Sequence, residues 1–101
     1  MATTPKTVSS ITAQDIADYI RLDDPSQSDL AFIGQTLEVA KAYVLNYTAI
    51  GAEEIDDYID MVIVVYVLCQ DMFDNRTLYV DSSTLNSVVE TILNMHKRNL
   101  L

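Results

Sequence analysis

The sequence predicts an all-α fold, a compact bundle of about four helices with a central buried helix and an amphipathic helix at the C-terminal end. Three observations predict it. The 101 residues contain only two glycines and two prolines, and residues 52–101 contain neither, so the regularly spaced turns of a sandwich or barrel have no residues to make them. Apolar residues recur at steps of three and four. Helix-capping patterns precede two of those stretches.

The elements follow in order. Residues 1–10 are polar, hold Pro5 and show no periodicity, which predicts a flexible lead-in to a single domain over 11–101. Thr12 and Asp15 stand at capping-box spacing and Ile11 and Ile16 at that of a hydrophobic staple, predicting a short helix over residues 13 to about 21. Asp23, Asp24 and Pro25 break it. Ser26 and Asp29 repeat the capping box, and Leu30, Ile33, Leu37, Ala40 and Val44 form one stripe, predicting a helix that fades over residues 47–51. Gly34 lies inside it, where close packing against a neighbour would explain a glycine.

A third helix is predicted over residues 54 to about 74. Its centre, Met61 to Cys69, is apolar and β-branched, and taken alone it also fits a buried strand. The acids Glu53, Glu54, Asp56 and Asp57 at its start favour a helix, whose N-terminal dipole attracts negative charge. Asp74, Asn75 and Arg76 read as a turn and residues 77–80 as a short connector. Asp81, Ser82 and Ser83 offer N-caps to a last helix whose stripe is Leu85, Val88, Val89, Ile92, Leu93 and His96. Lys97 and Arg98 fall in its last turn, where cations suit the dipole.

Fifteen acids against six bases leave a formal charge of −9, which opposes groove reading of DNA. The longest apolar run is far short of the roughly 20 residues of a membrane span, and the polar opening lacks the apolar core of a signal peptide, so a soluble, cytoplasmic chain is expected. The single cysteine, Cys69, lies in the apolar run and reads as a buried, inert thiol. One histidine and one cysteine do not make a zinc site, Asp23-Asp24-Pro25 lacks the alternation of a calcium loop, and two glycines leave none for a phosphate loop. The expectation is therefore no catalytic residue, no metal and no cofactor. Asp81-Ser82 has the look of an acyl-carrier attachment site, but Ser83 stands where that motif has an apolar residue, and too little chain follows.

Ile20-Arg21-Leu22-Asp23-Asp24, then Leu30, then Ala40-Lys41-Ala42-Tyr43-Val44 with Tyr47-Thr48, then Met72-Phe73-Asp74-Asn75-Arg76 together resemble the head–tail connector (adaptor) proteins of tailed bacteriophages, often described as DNA-packaging proteins. The resemblance covers roughly residues 11–101. In that family a short helix ends in a leucine-then-acidic turn, and a longer one ends in an aromatic-Val-x-x-Tyr-Thr pattern. The family has a glycine directly after Tyr-Thr, whereas Ala49 and Ile50 precede Gly51 here.

The resemblance implies a structural, non-enzymatic role in virion assembly. Such proteins form a ring of about a dozen copies by a heterologous interface that closes. The ring sits below the portal at the head–tail junction, extends the DNA channel without sequence-specific binding, and receives the next neck or stopper protein. Portal docking would fall on the last helix and tail: Leu85, Val88, Val89, Ile92, Leu93, Lys97, Arg98, Leu100 and Leu101. The same stripe could instead complete the domain's own core. Glu53, Asp57 and Asp60, at i, i+4 and i+7 of a helix, would form an acidic lumen face. A small acidic regulatory protein, a phage inhibitor or a DNA mimic, is the alternative.

Overall fold

The computed structural model describes residues 7–81, 83 and 85–97. Four α-helices follow one another: α1 (Ala13–Tyr19), α2 (Gln27–Thr48), α3 (Asp60–Asn75) and α4 (Ser87–His96). A short 3-10 turn at Val8–Ser10 precedes α1, another at Glu54–Asp57 lies between α2 and α3, and no strand occurs among the described residues. The fold is the all-α bundle expected, and the β-branched centre of the third element is helix throughout.

Both capping boxes form. The Thr12 hydroxyl accepts from the Asp15 amide at 3.2 Å, and the Asp15 carboxylate accepts from the Thr12 amide at 2.8 Å. Ser26 and Asp29 repeat the exchange at 3.0 and 3.1 Å. Each box satisfies donors that the first turn of a helix leaves without partners.

The core lies where α2 meets α3, the most extensive helix pair, with α1 and α4 packed against both. The stripe on α2 buries Ile33, Leu37, Ala40 and Val44, and α3 buries Met61, Val62, Val64, Val65, Leu68, Cys69 and Met72. Thr36 and Thr48 are buried too, their hydroxyls donating to the Ile33 and Val44 carbonyls at 2.7 and 2.8 Å. Local bonding of this kind lets a threonine enter a core without an orphaned hydroxyl. Cys69 is fully buried. Burial pushes its thiol up to about 11, against smaller opposing contributions from Thr36 and Lys41.

Four expectations change. The lead-in is ordered from Thr7 onward: Val8 is buried in the core, and the Ser9 amide donates to Asp56 at 2.9 Å. The third helix starts at Asp60 rather than residue 54, because the chain breaks at Tyr58 (φ −107, ψ 90). In one unbroken helix Ile55 would stand about 120° around the axis from Met61. The break lets both be buried, at 1% and 0% exposure.

The last helix starts at Ser87. Its cap is Asn86, whose side chain accepts from the Val88 amide at 2.8 Å, while Asp81 is engaged with Ser83 instead. Finally, Gly34 serves no close approach, since a Cβ there would meet nothing within 4 Å.

Four residues that are not glycine are left-handed, one of them Asp24 at φ 48 in the loop before α2. Arg21 follows α1 at φ 59, Ala49 caps α2 at φ 59, and Arg76 caps α3 at φ 53. Ala49 directly follows Tyr47-Thr48, and its backbone has the conformation that glycine adopts most readily.

Candidate functional site

The residues expected to dock a partner divide by burial. Val89 and Leu93 are fully buried and complete this chain's own core, so that part of the stripe is not a docking surface in this structure. Leu85 and Ile92 are half-buried against the core. Val88 is 58% exposed, and Lys97 is exposed with its ammonium 5.2 Å from the Tyr47 ring centre. Arg98, Leu100 and Leu101 lie outside the described residues.

The acidic face does not form as drawn. Glu53 and Asp57 are exposed and Asp60 is half-buried. The helical relation among the three required a continuous helix, and the break at Tyr58 removes it. Asp60 is instead a fastening point for α4: its carboxylate lies 2.7 Å from His96 Nε2. The His96 ring packs on Tyr58 with centroids 4.6 Å apart. A second polar tie joins α4 to α2, the Tyr47 hydroxyl donating to the Asn94 side-chain oxygen at 2.7 Å. Sequence reasoning placed His96 on the apolar stripe but had no signal for its partner, which is 36 residues away.

Asp56 was read only as one acid in a cluster. In the structure it accepts from both the amide and the hydroxyl of Ser9, and these bonds hold its carboxyl below the usual value. Asp71 is shifted the other way. Partial burial, and then the neighbouring Asp74 charge, push its carboxyl up. Asp71 borders an open cleft of about 450 Å³ between the C-terminal half of α3 and the connector to α4, floored by Leu68, Met72, Val80 and Leu85.

The remaining surface feature is apolar. Ile59, Ile63, Val88 and Met95 are large side chains left 47–68% exposed on α3, α4 and the residue preceding α3. Among the described residues no group of three or more His, Cys, Asp or Glu side chains could hold a metal ion, and no helix is long and apolar enough to cross a membrane. Searches for similar proteins found no matching family model, no matching curated protein and no matching solved structure.

Proposed function

We propose that this chain is a structural head–tail connector (adaptor) protein of a tailed bacteriophage, acting by assembly rather than catalysis. The observation that carries the reading is where the resembling stretches fall. Arg21-Leu22-Asp23-Asp24 is the turn that follows α1, Tyr47-Thr48 ends α2, and Phe73-Asp74-Asn75-Arg76 ends α3 and supplies its cap. All three stand at helix ends, with left-handed residues at or beside each, and this supports the reading.

In this role copies of the chain form a closed ring at the head–tail junction, between the portal and the next neck or stopper protein. DNA passes through it. A net charge of −9 keeps such a channel from condensing DNA onto its wall. Exposed apolar side chains on the outer helices supply area for contacts between proteins.

Immunogold imaging of source-phage virions with an antibody to this chain tests the proposal. Label at the head–tail junction is expected. Unlabelled virions, with the chain present in infected cells, would overturn it and leave the acidic regulatory protein as the better reading.

A further inference from the structure

The contacts of α4 fix which way its exposed residues face. Asn94 and Lys97 meet Tyr47 of α2, and the Glu90 charge acts on Tyr43 of α2, so one flank of α4 faces α2. His96 meets Asp60 at the start of α3. Successive residues turn about 100° around a helix, which puts Val88, Ile92 and Met95 on the other flank, the one beside α3. On α3 the residues beside that flank are the exposed Ile63 and the half-buried Val67, which packs against the core, with the exposed Ile59 before the first turn. The Asp60–His96 contact sets the two helices antiparallel, so Ile59 stands level with Met95, Ile63 with Ile92, and Val67 with Val88. The result is one apolar strip running along the α3–α4 seam.

Its borders carry one sign of charge. Asp60 flanks the strip at one end. Asp74 lies eleven positions after Ile63 and Asp71 eleven after Asp60, a spacing just over three whole turns that returns both to the same side at the other end. The cations nearby are turned elsewhere: Lys97 covers Tyr47, and Arg76 covers Phe73 and Phe32. His96 is bonded to Asp60.

We propose that this strip is the docking site for an amphipathic helix of a partner protein that carries lysine or arginine beside its apolar face. Apolar side chains of the partner cover Ile63, Val88 and Met95, and its cations meet Asp71 and Asp74. A second copy docked through this same strip is a poor occupant, because two surfaces of the same negative sign would face each other. An amphipathic helix matches the elongated shape, since such a helix lays one stripe into a groove between two others. The inference stands whether or not the chain belongs to a virion.

Methyl NMR of the full chain tests it, with a synthetic leucine–lysine amphipathic peptide of about five turns as probe and its leucine–glutamate counterpart as control. Shifts confined to Ile59, Ile63, Val88, Ile92 and Met95 are expected with the lysine peptide. Ile63→Ser with Val88→Ser should weaken binding about tenfold or more, a loss read as a change in Kd, with the helical circular dichroism unchanged because both side chains are exposed. Tyr19→Ser, at an exposed aromatic away from the strip, should leave binding as it was. Equal binding of both peptides, binding insensitive to the double substitution, or a dimer in sedimentation that Ile63→Ser abolishes would each overturn the proposal.

Discussion

Helices α3 and α4 lie against each other, yet they are held by different means. Over its sixteen residues α3 buries seven side chains, whereas α4 buries two over its ten, Val89 and Leu93. The other attachments of α4 are the half-buried Ile92, the His96 ring on Tyr58, and two polar ties, His96 to Asp60 and Asn94 to Tyr47. α3 is packed against α1, α2 and α4, while α4 has α2 on one flank, α3 on the other and solvent on its outer face. The difference teaches how a small helical domain divides its work. A helix that is apolar nearly all round becomes the interior of the fold, and a helix with a narrow stripe becomes a wall whose outer face is available for other uses.

This contrast can be broken by substitution. Leu68→Ala in α3 should have the largest effect, lowering global stability by about 2–5 kcal/mol through lost burial and the cavity left behind, measured by urea unfolding with the m-value preserved. Leu93→Ala removes a side chain of the same type from α4. Amide exchange should show its cost concentrated in α4, with protection in α2 and α3 retained. Global loss of protection in that variant would show α4 to be as integral as α3.

His96→Ala tests the polar tie. The Asp60 side chain is 41% exposed, so solvent screening limits the loss to about 0.5–1 kcal/mol. A loss several times larger would move the fastening of α4 from its apolar pair to this contact.

Two backbone substitutions sharpen the picture further. Ala49→Gly should stabilise the protein by about 0.5–1 kcal/mol, since an alanine in the left-handed region is strained and a glycine is not. Arg76→Gly should gain less or lose. Arg76 is also left-handed, but its guanidinium lies 4.3 Å from the Phe73 ring centre and 5.5 Å from that of Phe32, contacts that a glycine forfeits. Thermal melts of the two variants side by side give the comparison. Gly34→Ala should add up to about 1 kcal/mol from helix propensity, because the space for the methyl group is open.

The smallest effects are those of pH. The folded-state value of Asp56 is depressed by its bonds from Ser9. Its contribution is therefore present above the ordinary value of 3.8 and lost as pH falls through the depressed folded-state value. The folded-state value of Asp71 is raised by burial and Asp74, so its ionisation opposes folding and protonation relieves the opposition. At neutral pH Asp71→Asn should stabilise and Asp56→Asn destabilise. Unfolding curves at pH 7 and below 3.8 read both signs, and the difference between the variants should shrink in acid.

Much of the fold was legible in the residues. Thr12 with Asp15 and Ser26 with Asp29 marked two helix starts because a capping box is a local device, complete within four positions. The stripe from Leu30 to Val44 marked the buried face of α2 because helical periodicity is local as well. The candidate site was less legible. Val88 and Val89 are neighbours of the same residue type, and only the positions of α2 and α3 bury one and expose the other. The apolar strip combines residues from two helices nearly thirty positions apart, a relation that no spacing within one element encodes.

The sequence by itself determined the helical class, the helix order and most of the core stripes, because propensity, capping and amphipathic period act over one or two turns. Only the tertiary structure decided the break at Tyr58, which reconciles burial of Ile55 with burial of Met61. It alone brought Asp60 to His96 and Ser9 to Asp56, and it alone chose which residues of α4 meet solvent. Those outcomes depend on how surfaces distant in the chain compete for the same interior, and that competition is resolved only when all the helices are packed together.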